Sequence, residues 1–401
     1  MMRGSTGSVV TRGSVESAPP AVVLPESFHG FYDPNSYFRG QDTALLGWLD
    51  DRRHDKPVAV QIQAGESRLN TREQLAVELG HLCLLTHENA AEWRGLGLSE
   101  AELHDAVAIA EFGVAQTVRG VGSAVGKLKE EQAVKDRIEQ IRQEDGDEDV
   151  DILLAGLVVS ANAHKGQRRF NGAVFYTHPV AATKILSLAV RDTADWQHVF
   201  GVRWLRLLQY RAATHDSFED RLPDSHKEEA RGSSFLPGEN MLASPLLHKR
   251  LLESYLSSEH KQEAAEVARD NYLLTKPSGP DGHITNKRYL KRLKNDCEAG
   301  LVKMADTTHN VNIDPKEKPI TDKHGLKTWR SKRREYRRNL RKLRWQVIRN
   351  RQTSWAQKRL ATRITKVSGD RLVGFGDSRL LSHFPDTTLI RAYESPSPAK
   401  D

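Results

Sequence analysis

Two cysteines in 401 residues, Cys83 and Cys297, are too few to staple a fold; packing must supply the stability, and a reducing, cytoplasmic setting is expected. No apolar run approaches the roughly 18 residues that a membrane span needs, so no bilayer crossing is expected. The stretch from Met1 to Ala21 is rich in Ser, Gly and Pro and lacks the apolar core of a secretory leader; residues 1–25 read as a disordered tail. Internal repeats are absent. What remains is 38% hydrophobic and 28% charged, enough for one large or two modest domains. The net charge of +7 points to an anionic partner, although its distribution matters more than its sum.

Residues 26–129 form a module without a chemical motif. Lys56 to Ala64 reads as one strand bounded by Pro and Gly. Helices are predicted over Thr71–Leu85 and Ser99–Val114, the second opened by a capping box of Ser99 with Glu102. His81, His87 and His104 read as surface or core histidines. Residues 130–150 are charged and end in Glu144-Asp145-Gly146-Asp147-Glu148-Asp149, a solvated linker and domain boundary.

The chemistry concentrates at His215-Asp216-Ser217-Phe218-Glu219-Asp220. This hexapeptide closes an apolar run, Val199 to Ala213, that reads as a buried helix with Val202, Leu205, Leu208 and Ala212 at helical spacing. Neighbouring helical residues point about 100° apart, so a His and the next Asp can approach one ion from adjacent directions. Residues four apart share a face, which sets Glu219 over His215 and Asp220 over Asp216. Ionisable groups on the rim of an apolar helix need partners, and a cation is the natural one. The plain alternative is a polar helix end facing water; His54-Asp55 and His104-Asp105 show that the dipeptide alone carries no signal.

Two further blocks sharpen the reading. An apolar helix from Leu153 to Ala163 runs into Ala163-His164-Lys165-Gly166-Gln167-Arg168-Arg169-Phe170-Asn171-Gly172, a turn at Asn171-Gly172 follows, and Phe175-Tyr176-Thr177-His178-Pro179 leads into a helix over Val180–Val190. Downstream, an amphipathic helix from Lys287 carries Leu290, Leu293, Cys297, Leu301 and Met304 on one face and ends in Leu301-Val302-Lys303-Met304-Ala305-Asp306-Thr307-Thr308-His309-Asn310. Asp306 within an apolar stripe again requires a partner. Two His and two Asp make a mixed nitrogen and oxygen donor set suited to Mn, Fe or Zn rather than Ca.

In this order the three blocks resemble the hydrolase domain of the RelA/SpoT family, a branch of the HD-type metal phosphohydrolases, whose blocks have the form AHxGQxR-x-x-G-x-x-Y-x-x-HP, HDxxED and VKLADRLHN. The resemblance covers roughly Asp151 to Val311. It implies an HD-type helical bundle; His178, His215, Asp216 and Asp306 as metal ligands; Mn(II) as the metal; and Glu219 with Asp220 as the carboxylate pair that handles the attacking water. It further implies contact of Arg169 with substrate, Asn310 at the nucleoside, and removal of the 3′-pyrophosphate from (p)ppGpp. His164 and His309 fit the pattern without being ligands there and read as hydrogen-bonding core histidines. Arg168, Lys165, Tyr176 and Lys303 join the candidate substrate contacts, since buried phosphate needs cations that tolerate burial.

The pattern departs from the family at Phe170, where Lys is common, and at Asn310-Val311-Asn312-Ile313 after the last block. The stretch 221–265 reads as a long loop able to act as a lid. No nucleotide-synthesising domain accompanies the blocks, so the chain resembles a hydrolase-only member. Lys327 to Arg363 is dense in Lys and Arg, with Glu335 its one acid; Trp329, Tyr336, Leu340, Leu343 and Val347 fall at helical spacing. The favoured reading docks that stripe on the core and leaves a basic outer face for RNA or another anionic surface.

The expectation is a mostly α protein: the tail, the module 26–129, the linker 130–150, an HD-type domain over 151–314, a basic amphipathic segment over 315–365 and a C-terminal tail over 366–401. The leading function is a Mn-dependent alarmone hydrolase. The alternatives are an HD phosphohydrolase for another nucleotide or RNA end, and a non-catalytic RNA-binding or regulatory protein.

Overall fold

The computed structural model describes residues 60–62, 65–67, 76–77, 79–81, 83–145, 149–167, 174–217, 242, 244–274, 289–290, 293, 296–312, 323–367, 389 and 392–393. They are mostly helical. Two short strands, β1 (Val60–Ile62) and β2 (Gly65–Ser67), pair antiparallel with Val60 opposite Ser67, so the single strand expected from Lys56 to Ala64 is one arm of a hairpin. Of the helix expected over 71–85, residues 76–77, 79–81 and 83–85 are described; the first two stretches are helical, but the helix has ended by Cys83, whose φ of 58° is left-handed, and residues 83–85 form a turn.

The capping box forms as expected. Ser99 N–H donates to Glu102 at 2.6 Å, and Ser99 Oγ accepts from Glu102 N–H at 3.3 Å. Helix α1 (Glu100–Glu130) then continues well past Val114, because Thr117, Val121, Ala124, Val125 and Leu128 extend its buried face. The expected linker 130–150 is largely a helix too. α2 (Gln132–Asp145) places Val134 and Ile138, four residues apart, into the core, while Lys135, Asp136, Glu139 and Arg142 are exposed. α3 (Val150–Ala163) is apolar on nearly every side and is buried from Ile152 to Asn162.

The apolar run expected to be one helix is broken at Gly201. Its φ of 81° lies in the left-handed region that glycine enters freely, and it separates α5 (Trp196–Phe200) from α6 (Val202–Thr214). The preceding helix, α4, spans Thr177–Arg191. The expected loop 221–265 is helical in its second part. Ser244 accepts from Leu247 N–H, Pro245 opens the first turn, and α7 (Pro245–Tyr255) and α8 (Lys261–Leu274) follow. Tyr289 and Leu290 are helical as the stripe from Lys287 suggested, but the helix does not run on unbroken: Asp296 opens α9 (Cys297–Asn312) anew by accepting from Ala299 N–H at 2.8 Å. α10 (Lys323–Arg349) and α11 (Trp355–Ile364) close the order.

α6 organises the packing. Leu207, Tyr210 and Ala213 enter a core shared with α1, α3 and α7, whereas Leu205, Leu208 and Ala212 enter a second core built from α4, α9, α10 and α11. Every residue from Leu205 to Thr214 is buried. Each leucine so placed contributes about 1.5–3 kcal/mol. Polar groups on this buried helix are matched: Arg206 donates to Gln209, Gln209 to Ser187, and Arg211 Nε to Asp270 at 2.6 Å. The docking expected of the basic helix is observed: Leu340, Leu343 and Val347 of α10 are buried in the second core against α9. The side chain of Trp329, the first residue of the expected stripe, lies outside the described residues. No described helix is long and apolar enough to cross a membrane.

Candidate metal centre

Three helices deliver the cluster. His178 sits in the first turn of α4, where Pro179 costs no hydrogen bond because first-turn N–H groups lack helical partners. His215 caps the C-terminus of α6, and Asp216 follows in the turn. Asp306 lies in α9, within a buried run that includes Met304 and Ala305. α6 packs on α4, and α9 packs on both, so the three polar groups meet although up to 128 residues separate them in sequence.

The donor atoms converge. His178 Nε2 lies 2.9 Å from Asp306 Oδ1 and 3.4 Å from Asp216 Oδ2; His215 Nε2 lies 3.1 Å from Asp216 Oδ1 and 4.0 Å from Asp306 Oδ1. One donor atom each from His178, His215 and Asp306 falls within 4.8 Å of the other two, and all three residues are buried. Asp216 borders this triad through both histidines.

Hydrogen bonds around the cluster orient its rings. His215 Nδ1 faces the Ala212 carbonyl at 2.8 Å, which holds the proton on Nδ1 and leaves the Nε2 lone pair aimed at the cluster. That Nε2 is fully buried and makes no aligned hydrogen bond, despite the nearby carboxylate. His178 Nδ1 pairs with His309 Nδ1 at 2.7 Å, turning Nε2 of His178 inward. His309, expected as a core histidine, is half-buried and orients His178. His164 is a core histidine as expected, with its ring against Phe175 at 4.4 Å and Nδ1 near Gln167 Oε1.

Electrostatics point the same way. Burial alone would push the Asp306 carboxyl up, but Lys303, His178 and His215 together hold it well below the usual carboxylate range. Burial likewise opposes ionisation of Asp216, and the histidines override it and lower its pKa. At His215 burial disfavours the charged ring, yet Asp216 and then Asp306 raise its pKa. Two carboxylates kept ionised around imidazole lone pairs make a pocket that favours positive charge. An orphaned buried Nε2 within such a donor set fits a divalent ion of the borderline class.

A cleft of about 340 Å³ opens over the cluster. Its lining includes Tyr289 and Lys303, with Lys332, Glu335, Tyr336 and Asn339 contributed by α10. Lys303 Nζ pairs with Asp306 Oδ2 at 2.8 Å and stands over the Tyr289 ring at 5.4 Å. Asn310 Nδ2 donates to Asp306 Oδ1 at 2.7 Å and also lines the cleft.

Of the residues read from the sequence, His178, His215, Asp216, Asp306, Lys303 and Asn310 come together here. Tyr176 does not: it is buried in the core it shares with α3 and does not line the cleft, although its neighbour Phe175 and His178 do. Lys165 is exposed in the turn after α3 and does not line the cleft. Arg168, Arg169, Glu219 and Asp220 lie outside the described residues. Sequence reasoning missed Tyr289, Lys332 and Asn339 as cleft residues. Tyr336 was noted only as part of an apolar stripe.

No family model, curated protein or solved structure matches the chain.

Proposed function

We propose that the chain is a metal-dependent phosphohydrolase of the HD type, and that its substrate is a guanosine alarmone from which it removes the 3′-pyrophosphate. The observation that carries the catalytic reading is the buried meeting of His178, His215 and Asp306, with Asp216 at their edge and an unsatisfied Nε2 aimed inward. The substrate class rests on the resemblance of the three sequence blocks to RelA/SpoT hydrolase domains, and the HD-type domain over 151–314 belongs to the same proposal.

These four residues would hold the ion, Mn(II) by the resemblance. Such an ion lowers the pKa of water and screens phosphate charge. The chain's own groups divide the remaining work. Lys303, beside Asp306 at the cleft wall, supplies a cation for phosphate oxygens. Asn310 offers amide groups to a nucleoside and steadies Asp306. We assign acceptance of the water proton to Glu219 and its orientation to Asp220, and phosphate contacts to Arg169 with Arg168.

The test is product analysis of the purified protein with Mn(II) and ppGpp beside Asp216→Ala. Pyrophosphate and GDP formed by the parent, with a loss of at least 100-fold in the variant, is the expected result. If the parent binds Mn(II) but leaves ppGpp intact, the alarmone assignment fails, and a panel of other nucleotides and RNA ends then identifies the phosphate ester. If neither Mn(II) nor another divalent ion binds, the metal reading itself fails.

A further inference from the structure

The net charge of the chain is concentrated in one segment. Residues 323–366 hold 17 lysines and arginines against Glu335 alone, while the whole chain is only +7, so the remainder is net acidic. Docking of α10 separates its two faces. Leu340, Leu343 and Val347 face the core. Arg334, Arg338, Arg341, Trp345 and Arg349 recur at three- and four-residue spacing on the opposite side, and all five are exposed. Among the described residues no ion pair engages Arg334, Arg338 or Arg341.

Two tryptophans stand out on this basic surface. Trp345 is 58% exposed on α10, and Trp355 is 70% exposed at the start of α11, just past the turn that joins the helices. Each ring is covered on one face by an arginine: Arg349 lies 4.6 Å from the Trp345 centroid and Arg359 lies 4.5 Å from that of Trp355. A ring held by a guanidinium on one side presents a steady flat face on the other, with cations beside it for a phosphate backbone.

We propose that the outer face of α10 and α11 binds single-stranded nucleic acid, with Trp345 and Trp355 stacking on unpaired bases and Arg334, Arg338 and Arg341 following the phosphates. Stacking requires bases free of a duplex, which selects single strands over paired ones. A membrane surface fits less well. A helix lying in lipid needs an exposed apolar stripe, and the stripe of α10 is already buried in the core. This surface is independent of the metal centre, so neither proposal depends on the other.

The experiment is fluorescence anisotropy of the full chain with a labelled 12-nucleotide oligouridylate at several salt concentrations, beside a 12-base-pair RNA duplex and phosphatidylglycerol vesicles. The expected result is binding of the single strand at least 10-fold tighter than the duplex. Affinity should fall about 10-fold for each tryptophan replaced in Trp345→Ala and Trp355→Ala. Arg338→Ala with Arg341→Ala should flatten the salt slope by about 0.7 for each arginine removed. Equal affinity for the duplex, vesicle binding in place of oligonucleotide binding, or undiminished affinity in the double tryptophan variant each overturns the proposal. If the alanine pair melts early, the phenylalanine pair and quenching of tryptophan emission by the oligonucleotide decide: absence of quenching, or failure of the phenylalanine pair to bind, overturns it.

Discussion

At the scale of single residues, burial decides which titrations matter. His248 on α7 is buried with Tyr210 Oη 2.8 Å from its Nδ1, and burial pushes its pKa down to about 4 from the ordinary 6.5. Above pH 6.5 the ring is neutral in both folded and unfolded chains and contributes no pH dependence. As the pH falls below 6.5, the unfolded chain takes up a proton that the folded chain refuses, and stability is lost until about pH 4. The loss is about 2 kcal/mol by pH 5 and on the order of 3 kcal/mol by pH 4. Denaturant melts at pH 7 and pH 5 should therefore fall more steeply for the parent than for His248→Gln; parallel pH profiles would show that the imidazole is protonated without penalty. Residues of this kind were hard to read in advance. His215, Asp216 and Asp306 were legible because each is an ionisable group in or at the end of an apolar run, which needs a partner wherever the fold places it; His178, a lone histidine at a helix start, entered only through the family resemblance. His309 and Tyr289 carry no such local mark. Their roles arise only when α9 turns one imidazole onto His178 and the chain before it brings a phenol ring beneath Lys303.

At the scale of elements, the patterns that were misread were those in which one residue outweighs periodicity. Gly201 splits an apolar run that is continuous by spacing, and Asp296 starts α9 ten residues after the amphipathic stripe begins. The helical part of 221–265 was hidden by the Pro and Gly content of its first half, although Ser244-Pro245 is a capped helix start. The contact between α9 and α10 shows how closely the basic helix is fitted. A Cβ built on Gly300 would meet Val347 Cγ2 at 3.0 Å. Val347 is β-branched, buried and stiff at χ1, so it yields only by moving α10. Gly300→Ala should cost about 1–3 kcal/mol in thermal or denaturant unfolding, where alanine in an open helix position would stabilise instead. A variant as stable as the parent would mean that α10 rides loosely on α9. The same substitution reaches function, because Lys332, Tyr336 and Asn339 reach the cleft from α10.

At the scale of the whole molecule, the candidate metal centre joins separate parts of one architecture. His178, His215 and Asp306 come from α4, α6 and α9, and α6 is the wall between the two hydrophobic cores. An ion bound there ties both cores through α6 and binds only the folded arrangement, since the unfolded chain does not gather donors 128 residues apart. Mass action then raises the stability by about 2.7 kcal/mol when free metal stands at 100 times its dissociation constant. For a chain of 401 residues each kcal/mol moves the melting temperature by about 1 °C, so metal at that concentration should raise it by about 3 °C. His215→Ala should remove that increment. The variant's own stability in chelator measures something different, namely what the unfilled cluster costs. There two ionised carboxylates and an unsatisfied Nε2 oppose folding, and removing the imidazole forfeits its packing. A melting temperature of the parent that is the same with Mn(II) and with chelator, measured by scanning calorimetry, would sink the metal centre without reference to any substrate. A shift confined to the parent would locate the ion on His215 even if every nucleotide tested proved inert.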